Sequence, residues 1–87
     1  MVCMQSRNLT EALGIQISAS RKRLGLSQEE LAFSAGVHRT YVSMIERGCK
    51  SPTIATLRSL AQALDTPVWC LIRAAEESVS VPGGAEV

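Results

Sequence analysis

Histidine and cysteine are scarce in this chain: 87 residues hold one His and three Cys, and Cys3, Cys49 and Cys70 form no C-x-x-C pair. That scarcity argues against a zinc site and against a disulfide framework, so free thiols in a reducing compartment are expected. It also leaves no triad, and no glycine-rich phosphate loop is present, so no catalytic residue, metal or cofactor is assigned and an enzyme is not expected. Long hydrophobic runs are missing as well. Residues 1–8 lack the apolar segment of a signal peptide and no stretch approaches a membrane span, which predicts a cytoplasmic chain without membrane contact. Net charge is small, +1 at pH 7. Because Lys and Arg supply most non-specific affinity for nucleic acid, the placement of charge matters more than its sum. Residues 7–50 carry seven basic against four acidic side chains, net +3, whereas residues 51–87 carry two against four, net −2. An anionic partner would therefore meet the first half.

Residues 26–48 form two short helical patterns joined by a tight turn. Ser27 can cap a helix while Glu30, three residues on, reaches back to the capping N–H, a capping box. Leu31 and Ala32 are the inward residues of that helix, and Ala32 is small enough for a second helix to cross close by. The helix should stop near Ala35, because Gly36 can take the left-handed conformation that a Cβ disfavours, which points Val37 back to the core. A second helix is predicted over Arg39 to Glu46. Val42 and Ile45 face inward, leaving Arg39, Thr40, Ser43 and Met44 on the opposite side. Gly48 closes it, and Arg47 favours the negative end of its dipole. Two such helices form a helix-turn-helix, which points to duplex DNA.

These residues resemble the Cro and phage-repressor type of helix-turn-helix regulator, the XRE family. The resemblance runs from about Leu13 to Ile72. Its strongest parts are Gly25-Leu26-Ser27-Gln28-Glu29-Glu30-Leu31-Ala32, Ala35-Gly36-Val37, Ile45-Glu46-Arg47-Gly48 and Pro52-Thr53-Ile54. Within that family, Arg39-Thr40-Tyr41-Val42-Ser43 followed by Ile45-Glu46-Arg47 is similar to the controller proteins of restriction–modification systems. The implied fold is all-α, a five-helix lambda-repressor-like DNA-binding domain. The implied function is sequence-specific binding of double-stranded DNA and transcriptional regulation.

The other three of the five expected helices can be placed around that motif from local signals. Thr10 is expected to cap a first helix that reaches about Leu24, with Leu13 and Ile17 on its inner face and Gly25 at its end. Thr53 is expected to cap a fourth helix, whose apolar positions Ile54, Leu57, Leu60, Ala61 and Leu64 should pack on the reader pair. Thr66 and Pro67 are read as the cap and first residue of a fifth helix, lasting to about Glu77. The organisation expected is an arm over residues 1–8, one DNA-binding and dimerisation domain over 9–77, and a tail over 78–87. At this length no ligand-sensing domain is expected beside it, and a core this modest is expected to favour oligomerisation.

Site residues follow from docking geometry. With the second motif helix in the major groove, Arg39 and Thr40 lie deepest, with Ser43 and Met44 one turn on. Arg39 can make two parallel hydrogen bonds to guanine, and Thr40 can use its hydroxyl or its methyl. Phosphate contacts are expected from Gln28, the family's habitual ligand, and from Tyr41, Lys50, Ser51 and Thr53. His38 stands where the family usually has Ser or Thr as cap, so a weaker cap and a phosphate contact are read there. Arg21 and Glu46 match positions that pair across the first and third helices in the family, a structural bridge.

A single reader helix covers few base pairs, so a homodimer on a pseudo-palindromic operator is expected. The seam is assigned to the fifth helix. There Val68, Leu71 and Ile72 match core positions, and Trp69 stands outward as an interface anchor. Trp69, Ile72, Arg73 and Glu76 make up the expected interface. The alternative is an antitoxin or other protein-binding module, whose main task is to sequester a partner protein.

Overall fold

The structure, a computed structural model, describes residues 8–79. The arm and tail expectations fall mostly on residues 1–7 and 80–87, and these, with Cys3, lie outside the described residues. Five α-helices follow one another: α1 Leu9–Arg23, α2 Gln28–Ala35, α3 Arg39–Glu46, α4 Ile54–Ala63 and α5 Val68–Ser78. Among the described residues, no helix is long and apolar enough to cross a membrane.

Local signals account for most helix ends. Ser27 Oγ accepts from Glu30 N at 3.0 Å and Glu30 Oε1 accepts from Ser27 N at 2.8 Å, completing the expected capping box of α2. Gly36 takes φ +74°, and Val37 N then donates to the Ala32 carbonyl at 2.9 Å, turning Val37 onto the core.

Other ends differ from the sequence reading. Asn8, not Thr10, caps α1, its Oδ1 accepting from Glu11 N at 2.9 Å; the helix starts earlier because an amide oxygen is available before Thr10. Asn8 thus belongs to the body rather than to an arm. Val68, not Pro67, opens α5. Pro67 is the capping residue, with ψ 149° and no side-chain cap, because the Thr66 hydroxyl turns back to donate to the Leu64 carbonyl at 3.0 Å. At the far end Ser78 is still helical and Val79 packs on the core, so the body continues past the expected boundary.

The core joins inward faces of all five helices. Ile17, Leu31, Val42, Ile45, Leu60 and Leu64 are its largest fully buried side chains, with Leu13, Leu57 and Leu71 beside them. Burying one such side chain stabilises the fold by roughly 1.5–3 kcal/mol. Ile54, read as part of the apolar face of α4, is instead 79% exposed. The first turn of α4 stands clear of the body, with Ala55 exposed as well, and burial begins at Leu57. α4 also meets only α2 of the reader pair as a principal neighbour, its other neighbour being α5.

Two packing layers place the functional elements. α3 rests on α1 and α2, while α5 rests on α1 and α4. α1 therefore touches both α3 and α5.

Candidate nucleic-acid interface

α3 is held from one side and open on the other. Val42 and Ile45 are buried, Arg39 and Thr40 are exposed, and Ser43 and Met44 are half-buried. The four residues expected to read bases therefore share one helical side, graded from exposed at the N-terminal end to half-covered one turn later. His38 caps α3 after all, although loosely: its Nδ1 accepts from Thr40 N at 3.4 Å. That leaves Nε2 as the ring's other hydrogen-bonding atom at the N-terminal end of the reader.

The far end of α3 is tied more tightly. Arg21 Nε donates to Glu46 Oε2 at 2.7 Å, and Arg21 Nη2 donates to Glu46 Oε1 at 3.1 Å. Arg21 Nη1 donates to the Leu26 carbonyl at 2.8 Å, so the same guanidinium also fixes the turn before α2. The pair is well covered, its side chains 11% and 5% exposed. A fork-shaped guanidinium suits this arrangement, since it meets a carboxylate with two parallel bonds and has donors to spare. Gln28 Nε2 adds a third donor to Glu46, at 3.0 Å from Oε1.

Backbone contact completes the seat. A Cβ on Gly14 of α1 would fall inside contact distance of the Ile45 carbonyl oxygen and 2.9 Å from that of Glu46. Only hydrogen at this position lets α1 approach the last turn of α3 so closely.

The residues read as phosphate ligands surround α3 but are not equally free. Gln28 has one amide proton on Glu46 and retains the other. The Thr53 hydroxyl accepts from Thr56 N at 3.1 Å and donates to Thr56 Oγ1 at 3.0 Å, so its donor is occupied in the cap of α4. Lys50 and Ser51 are exposed in the loop after α3, and Lys50 Nζ lies 5.9 Å from the centroid of the Tyr41 ring. Tyr41 itself is half-buried against the core. Arg47 Nε lies 3.4 Å from the Ser43 carbonyl, at the negative end of α3.

On α5, Trp69 is 63% exposed, as read from the sequence. Ile72 is half-buried on the chain's own core, and Glu76 is exposed. Arg73 pairs with Glu77 at 3.1 Å, an exposed pair one helical turn apart that contributes little to stability. α5 packs on α1 and α4, while α3 packs on α1 and α2.

The ties from Gln28 to Glu46 and from Arg21 to Leu26 are absent from the sequence reading, as is the 88% exposed Phe33 on α2. No local spacing signals a bond between residues 18 apart in the chain. Among the described residues no group of His, Cys, Asp or Glu could hold a metal ion.

Comparison with known proteins extends this picture. A family model described as helix-turn-helix matches residues 17–68. The control protein C.SmaI of Serratia marcescens is 41% identical over 61 residues, which is 70% of this chain and 73% of that protein. The clp gene regulator ClgR from C. glutamicum superposes with a TM-score of 0.81 at 32% identity, covering 87% of this chain and 96% of that one. The biofilm master regulator SinR, in a crystal structure in complex with DNA, gives a TM-score of 0.67 at 39% identity, covering 69% of this chain and 97% of that one.

Proposed function

The chain belongs to the helix-turn-helix family of DNA-binding transcription regulators, and from that membership we propose that it binds a pseudo-palindromic operator as a homodimer in the cytoplasm, inserting α3 into the major groove. The observation that carries this reading is the split character of α3: one side locked by Val42, Ile45 and Glu46, the other offering Arg39, Thr40, Ser43 and Met44. A rigid helix with a free polar side is what base-edge recognition needs. Arg39 and Thr40 read bases first, and Ser43 and Met44 follow. Gln28, His38, Tyr41, Lys50, Ser51 and Thr53 frame them, through side chains or helix-start N–H groups, against phosphates.

Dimerisation sets two α3 helices one helical turn apart, roughly 34 Å, on one face of the duplex. Trp69 anchors the seam with Ile72, and Arg73 and Glu76 lie at its rim. Similarity to control protein C.SmaI supports a controller role among regulators. A restriction endonuclease gene beside this one would agree with it; a prophage block or a toxin frame would replace it.

The test is selection of duplexes from a randomised pool by the wild-type protein, followed by footprinting. A protected, two-fold symmetric sequence is expected. Failure to retard any duplex at low salt would end the reading. Trp69→Glu should convert the dimer to monomer in sedimentation, and a variant that stays dimeric would move the seam elsewhere.

A further inference from the structure

Glu46 is the last residue of α3, and its covered carboxylate collects donors from two other helices: Arg21 of α1 and Gln28 of α2. Gln28 is the first residue of α2, directly after the Ser27 cap. Its backbone N–H is one of the early helix donors with no partner inside the helix, and its amide keeps one proton beyond the one on Glu46. One side chain thus touches both the end of the reader helix and the helix start where a phosphate would settle. The two ends of α3 are restrained unequally. At Glu46 there are three side-chain hydrogen bonds and the Gly14 backbone seat. At the other end the side-chain cap is the 3.4 Å contact of His38 with Thr40 N, and Arg39 and Thr40 are exposed.

We propose that Gln28 is a positioning residue: by holding Glu46 it sets the tilt of α3 and hence the place where Arg39 and Thr40 meet the bases. The lever arm is short but sufficient. An eight-residue helix is roughly 12 Å long, so a tilt of about 5° about its C-terminal end displaces its start by ~1 Å. A shift of that size takes a paired guanidinium contact out of hydrogen-bonding range, whereas a phosphate contact made by a flexible side chain adapts to it. Gln28 therefore governs discrimination between sequences, in addition to whatever it adds to general affinity for DNA.

This inference rests on the operator reading above, and the experiment separates the two. Binding is measured at one salt concentration to the 30-base-pair duplex that the wild type selects from a randomised pool, and to a scrambled duplex of the same composition. Gln28→Met keeps length and helix preference but removes both amide protons; Gln28→Asn keeps an amide yet falls one methylene short of Glu46. Both are checked for folding by thermal unfolding, and either alone suffices for the comparison. The expected result is a loss of about tenfold on the selected duplex, the scale of one hydrogen bond to a charged group. Loss on the scrambled duplex, which reports only the phosphate contact of Gln28, should be several-fold smaller than that on the selected duplex. The base preferences opposite Arg39 and Thr40 should flatten. Equal losses on both duplexes would make Gln28 a phosphate ligand only and overturn the proposal, as would full discrimination retained by Gln28→Asn. A wild type that does not distinguish the two duplexes overturns the operator reading itself, and this inference with it.

Discussion

Removing Arg21 exposes how the reader helix is held. In Arg21→Met, Glu46 loses both bonds to the guanidinium and the Leu26 carbonyl loses its donor, leaving a carboxylate only 5% exposed with the Gln28 amide as its remaining side-chain donor. A buried charge stripped of its partner costs roughly 3–5 kcal/mol. A chain of 87 residues is stable by about 4–13 kcal/mol, so the loss is a large share of the total. At about 4–8 °C per kcal/mol for a domain of this size, the melting temperature should fall by more than about 12 °C. Urea unfolding followed by circular dichroism measures the same quantity. The companion variant replaces both partners, Arg21→Met with Glu46→Leu. Two apolar side chains of similar volume remove the stranded charge, so the double variant should recover to within about 1 kcal/mol of the wild type. Its discrimination between DNA sequences should not recover, because the tie from α3 to α1 and α2 is gone. A single variant that costs under about 1 kcal/mol, or a double variant no more stable than the single, would refute the reasoning.

Three further outcomes are expected. Gly14→Ala forces a methyl against the carbonyls of Ile45 and Glu46, and overpacking of this kind should cost about 1–3 kcal/mol in chemical unfolding; an unchanged midpoint would mean that α1 and α3 can separate freely. Arg39→Ala should weaken binding to the selected duplex by roughly 1–3 kcal/mol and relax preference at one base pair, while a gel-shift titration that shows the preference intact would remove Arg39 from the base-reading set. Ser27→Ala deletes the hydroxyl that accepts from Glu30 N at 3.0 Å and should cost about 1 kcal/mol by thermal unfolding; no change would show the capping box to be idle.

Much of the fold is legible along the chain because its signals are short-range. A capping box spans three residues, a left-handed glycine acts on its own turn, and the inward positions of α3 and α4 recur every three or four residues. These signals locate α2, Gly36, α3 and the start of α4, and they separate Val42 and Ile45 from Arg39 and Thr40. Where two residues compete for one local role, the same reading slips by a turn or less. Asn8 outcompetes Thr10 because it comes first with a suitable oxygen, and Thr66 gives up its cap because its hydroxyl finds the Leu64 carbonyl.

Sequence alone therefore determined the kind of molecule: helical punctuation, a helix-turn-helix and an exposed stripe beginning at Arg39 are written in neighbouring residues. Tertiary structure decided how that reader is mounted. The Arg21–Glu46 pair, anticipated through the family resemblance and not by any local signal, spans 25 positions; the Gln28–Glu46 bond spans 18, and the Gly14 seat depends on where two helices cross. Helical periodicity tells which side of a segment turns inward, but not which distant atoms will be waiting there. That depends on the packing of α1, α2 and α3 together, and on the same packing stopping short of Ile54.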